Sequence, residues 1–78
     1  MTKDETYLVK LYRMANALGD PFHEINRYEV GKALGHGDKS VDGIVRMLAQ
    51  TNFIRKGRGD AVCMTPHGMK LVADLLSL

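Results

Sequence analysis

Two short helical periods set almost back to back constrain this chain more than any other feature. Val41, Ile44, Val45 and Leu48 fall at i, i+3, i+4 and i+7, which lines one face of a helix with apolar side chains. Ahead of them, Val30, Ala33 and Leu34 form the apolar face of a shorter segment. Gly35 closes that segment, and only His36-Gly37 connects it to Asp38, which can cap the next helix. A connection this short leaves no room for another element, so the two helices must bury their faces against each other and the rest of the chain.

The remaining segments follow from capping and turn chemistry. A first helix is expected from about Asp4 to Leu18, with Thr2 and Glu5 at capping-box spacing and Leu8, Leu11, Ala15 and Leu18 on one stripe. Gly19 and Asp20-Pro21 end it, and Ile25 reads as a very short strand. The second helix starts after Asn26, where Asn26 and Glu29 repeat the cap logic. The third runs from Asp38 to Thr51, and Asn52 tolerates the left-handed conformation that closes it. Phe53-Ile54-Arg55-Lys56 and Ala61-Val62-Cys63-Met64 make a hairpin around the turn Gly57-Arg58-Gly59-Asp60. Thr65-Pro66 then opens a last helix with Leu71, Val72, Leu75 and Leu76 on its apolar face. The expectation is one α+β domain over residues 1–78, mainly α with a small β-hairpin.

Several function classes are read as excluded. A hydrophobic fraction of 45% and a charged fraction of 26% suit a folded domain. A single cysteine, Cys63, rules out an internal disulfide and reads as a small buried hydrophobe. The polar N-terminus lacks a signal-peptide pattern, so a cytoplasmic location is expected. No stretch approaches the roughly 20 apolar residues of a membrane span. No nucleophile elbow, phosphate loop or carboxylate pair is visible, so neither an enzyme nor a cofactor is expected. His23, His36, His67 and Cys63 match no zinc spacing. The adhesion-like tripeptide Arg58-Gly59-Asp60 reads as turn chemistry. The five methionines, Met1, Met14, Met47, Met64 and Met69, read as core filler. Tyr7 and Tyr12 lie off the first stripe, as half-buried residues or part of a dimer surface.

The order is helix, short strand, helix, tight turn, helix, two-stranded hairpin, helix. Two consecutive short helices joined by a glycine-containing turn are a helix-turn-helix signature, and the following hairpin stands where a wing would. The stretch from Tyr28 to Leu76, with Ser40-Val41 through Val45, Leu48, Asn52-Phe53-Ile54-Arg55-Lys56 and Met64-Thr65-Pro66-His67-Gly68, resembles the winged helix-turn-helix transcriptional regulators of the MarR and PadR type in the broad sense. The resemblance implies double-stranded DNA as the partner. Helix 38–51 would lie in the major groove, and the 53–64 hairpin would act as the wing. Lys39, Ser40 and Arg46 would act from that helix, Lys32 from the helix before it, and Arg55, Lys56 and Arg58 from the wing. The terminal helices would offer a homodimer surface.

Charge agrees with this reading. The net charge is only +2, but residues 27–59 carry a balance of +4 and each flank −1. The resemblance has two departures. His36 stands where an aliphatic residue is usual, and reads as a partly exposed turn residue or as a phosphate contact. Asp42-Gly43 replaces a polar or basic pair. Asp42 repels phosphate yet can accept a hydrogen bond from cytosine N4, and Gly43 offers a base no side chain. The pair therefore also supports an alternative, a winged-helix adaptor that binds protein and does not read DNA.

Overall fold

The computed structural model describes residues 1–78. Its elements run α1 (Lys3–Ala17), β1 (Ile25–Asn26), α2 (Arg27–Ala33), α3 (Asp38–Gln50), β2 (Ile54–Lys56), β3 (Ala61–Met64) and α4 (Pro66–Leu76). This is an α+β arrangement of four helices and one antiparallel sheet, in strand order β1-β3-β2.

α1 opens with the expected capping box. The Thr2 hydroxyl accepts from the Glu5 amide at 3.1 Å, and the Glu5 carboxylate accepts from the Thr2 amide at 2.8 Å. Those bonds to Thr2 hold the Glu5 carboxyl below its usual pKa. The helix stops at Ala17, one residue earlier than the apolar spacing suggests. Leu18 is then its cap and stands 60% exposed, because Gly19 takes a left-handed φ of 100° and turns the chain away. Tyr7 corrects the sequence reading in the opposite direction. It is fully buried, at the start of a 7-11-15 line, and its hydroxyl donates to the Arg27 carbonyl at 2.8 Å. That bond ties α1 to the start of α2.

α2 begins at Asn26, whose side chain accepts from the Tyr28 amide at 2.9 Å; Glu29 returns no bond, so the expected pair is one-sided. The buried positions of α2 are Val30 and Gly31, while Ala33 is exposed and Leu34 only half-buried. Gly31 is buried because α3 crosses directly over it. A Cβ there would collide with Val41 Cγ2. The reversal between the helices uses Gly35 at φ 76°. Gly37 is the N-cap of α3 and Asp38 lies inside the first turn, so the expected Asp38 side-chain cap is absent. Its negative charge still favours the helix N-terminus. Asn52, at φ 63°, closes α3 as expected.

The sheet is small but joins distant parts of the chain. Ile25 pairs with Val62 and Asn26 with Ala61, while Ile54, Arg55 and Lys56 pair with Met64, Cys63 and Val62. Phe53, expected in this strand, stands just before β2 and stacks on the His67 ring, with centroids 4.6 Å apart. Thr65 accounts for the start of α4. Its hydroxyl accepts from the Gly68 amide at 3.0 Å and donates to the Asn52 carbonyl at 2.6 Å. Gly68 lies against the Phe53 carbonyl so closely that no side chain fits.

The core gathers Tyr7, Leu8 and Leu11 from α1, Val30 from α2, Val41, Ile44, Val45 and Leu48 from α3, Ile54, Val62 and Met64 from the hairpin, and Val72 from α4. Cys63 is buried beside it. The methionines do not share one role: Met64 is core, whereas Met1 and Met47 are 73% and 52% exposed. No helix is long and apolar enough to cross a membrane.

Candidate nucleic-acid interface

Helical geometry decides what α3 presents. Its buried residues, Val41, Ile44, Val45 and Leu48, hold one side against the core. Residues 39, 43, 46 and 50 recur on the opposite side at i, i+4, i+7 and i+11. Lys39, Arg46 and Gln50 are exposed there, and nothing beyond the adjoining backbone of its own helix comes within 4 Å of where a Gly43 Cβ would stand. The outward line is thus two cations, an amide and a bare stretch of backbone. Met47 flanks it on one side and Asp42 on the other. Neither Gln50 nor Met47 is among the sequence candidates for this face: the residue type of Gln50 carries no signal of its own there, and Met47 reads from sequence as core filler. The signal for them is positional: both stand away from the apolar face of α3 and within its last turns.

Ser40 differs from its neighbours. It is only partly exposed, and its hydroxyl is buried without a hydrogen-bond partner. The hydroxyl therefore does not join the outward line that Lys39 and Arg46 share.

Asp42 is held by α2. Its Oδ1 accepts from the Tyr28 hydroxyl at 2.7 Å and lies 3.9 Å from the Arg27 guanidinium. The bond to Asp42 raises the Tyr28 phenol above its ordinary pKa. Arg27 reaches further. Its Nε donates to the Asp60 carbonyl at 3.0 Å, and its amide donates to the same oxygen at 3.0 Å. It also lies 6.0 Å above the Tyr28 ring centroid. Arg27 therefore joins the start of α2, the flank of α3 and the hairpin turn. The count of basic residues made from sequence included Arg27, but its guanidinium is committed inside the molecule and its side chain is 12% exposed.

The hairpin turn thus sits on the Asp42 side of α3. Arg55, Lys56 and Arg58 are all exposed on it. Two acidic groups lie among them: Asp60 is exposed in the turn itself, and Glu24 packs its carboxylate on Gly57 and accepts from the Arg58 amide at 3.4 Å. Lys32 is exposed on α2 and borders an open groove of 760 Å³ that also includes Glu29, His36 and Asp38. It shares its surroundings with two carboxylates, Glu29 and Asp38. His36 is half-buried in the turn, with its amide donating to the Gly31 carbonyl at 2.8 Å.

No three His, Cys, Asp or Glu side chains converge as a metal site would require. Compared with protein-family models and with curated proteins, the chain matches none. The functional reading accordingly rests on the geometry of α3 and the hairpin.

Proposed function

We propose that this chain is a winged helix-turn-helix domain that binds duplex DNA, with α3 in the major groove and the 53–64 hairpin as the wing, and that it serves as a transcriptional regulator. The observation that carries this reading is the outward line of Lys39, Gly43, Arg46 and Gln50 opposite the core, with the basic hairpin fixed alongside it through Arg27. A helix backed by its own core and bearing polar and cationic tips fits a groove lined with base edges and phosphates. Arg55, Lys56 and Arg58 supply phosphate contacts from the wing, and Lys32 supplies one from α2. The function needs no catalytic group and no cofactor.

The adaptor alternative rests on the Asp42-Gly43 pair and the modest net charge of +2. With that carboxylate paired to Tyr28 and Arg27, much of its repulsion is offset within the molecule. A homodimer fits the terminal helices, where Tyr12 and Ala17 of α1 meet Leu76 and Leu78 around an open groove. Two-fold pairing would set half-sites about one helical turn apart, roughly 34–36 Å.

Fluorescence anisotropy with a mixed-sequence duplex across a salt series tests the reading. Binding should weaken steeply as salt rises, because each neutralised phosphate releases counterions. Replacing Arg55 and Arg58 by glutamate should abolish it. Absence of wild-type binding near 50 mM salt, where electrostatic association is strong, would overturn the proposal.

A further inference from the structure

Asp42 has one oxygen engaged and one open. Tyr28 and Arg27 both meet Oδ1. Oδ2 has no hydrogen-bond partner, and it is not enclosed, since the Ser40 hydroxyl is the sole buried unpartnered side-chain polar atom of the partly buried and buried residues. The Asp42 side chain is 45% exposed. A tie between α2 and α3 requires Oδ1 alone, and an asparagine oxygen would make it without placing a negative charge beside a phosphate-facing helix. Next to it, Gly43 leaves open space where a side chain would otherwise stand.

We propose that Asp42 reads a cytosine in the major groove, with Oδ2 accepting a hydrogen bond from the N4 amino group. This inference rests on the DNA-binding reading. The donor pattern of the groove selects the base. Guanine presents N7 and O6 and thymine presents O4, all acceptors that repel a carboxylate. Adenine has an amino donor, but its N7 acceptor lies beside it, whereas the neighbouring edge of cytosine carries no acceptor. Tyr28 and Arg27 are positioning residues. The hydroxyl of Tyr28 fixes which oxygen faces inward, and Arg27 offsets the charge that would otherwise repel the backbone. Gly43 lets the base edge approach.

The test is selection of duplexes from a randomised pool with the wild-type chain, Asp42→Asn and Tyr28→Phe. The asparagine keeps its oxygen toward Tyr28 and Arg27, so its NH₂ takes the place of Oδ2. An acceptor becomes a donor. The wild-type motif should contain a cytosine position preferred by about tenfold. Asp42→Asn should move that one position to thymine or guanine and leave the others unchanged. Tyr28→Phe should broaden the same position. A changed preference cannot arise from loss of folding, which lowers binding to every duplex alike. An unchanged motif in Asp42→Asn, or a wild-type motif with no such cytosine, overturns the Asp42 assignment and leaves the DNA-binding reading standing if binding remains salt-dependent. No duplex binding by the wild type overturns both.

Discussion

Gly31 and Gly43 stand twelve residues apart on successive helices, and the same substitution should move stability in opposite directions at the two. At Gly31 a methyl group meets Val41 Cγ2, a stiff, fully buried side chain. Overpacking typically costs about 1–3 kcal/mol. That outweighs the gain of up to about 1 kcal/mol from better helix propensity. Gly31→Ala should therefore lower the denaturant midpoint. Gly43 has open space around it, so only the propensity gain remains, and Gly43→Ala should raise the midpoint by an amount equivalent to about 1 kcal/mol. Urea unfolding of the two variants beside wild type measures both. A stabilised Gly31→Ala would mean that α3 does not cross α2 as closely as described. If Gly43→Ala is more stable yet binds DNA less well, the bare backbone serves the interface and not the fold.

At the scale of elements, Thr65 links two of them with one hydroxyl. It caps α4 and holds the Asn52 carbonyl where α3 gives way to the hairpin. Loss of an N-cap costs about 0.5–2 kcal/mol, and a stranded carbonyl adds about 1 kcal/mol or more. Thr65→Ala should lower stability by about 2 kcal/mol, while Thr65→Ser, which keeps the hydroxyl, should lose much less. Thermal unfolding separates them. The helices and their ends were legible because their signals are local: Thr2 with Glu5, Gly19, Asn52, and Thr65-Pro66 all act within a turn or two. What stayed hidden depends on partners far along the chain. Ile25 was readable as a strand, but not its pairing with Val62 across the sheet, and the burial of Tyr7 goes with a bond from its hydroxyl to the Arg27 carbonyl. Leu18 fits the apolar spacing but stands past the end of the helix that would have buried it. In the candidate interface, the basic residues could be picked by type. The containment of Arg27 and Asp42 could not, since it depends on where α2 sits against α3.

For the whole molecule, two phenols tie stability to alkaline pH. Burial, first of all, raises the Tyr7 pKa, and the hydrogen bond to Asp42 raises that of Tyr28. Both groups hold their protons more tightly when folded. Their contribution is fully present below the unfolded phenol value of about 10 and is lost as pH rises through the folded values. Stability should stay level toward pH 10 from these groups and fall beyond it. Tyr7→Phe should be less stable at neutral pH, because it strands the Arg27 carbonyl, but should show a shallower alkaline decline. Denaturation midpoints measured across that range, for wild type and variant, check the sign. A decline equally steep in Tyr7→Phe would place the alkaline sensitivity elsewhere.

The strand order β1-β3-β2 leaves β2 as an edge of the sheet, with no strand beyond it. An open edge carries unpaired backbone groups that can recruit a strand from another molecule, and charged side chains are a usual guard against this. Arg55 and Lys56, both exposed, occupy two of the three residues of that edge. On the proposed reading, the residues that would meet phosphate also put charge on the edge where another copy of the chain could add a strand. Neutralising them with apolar residues would confuse loss of DNA affinity with gain of self-association. Reversing their sign keeps the edge charged and isolates the effect on DNA.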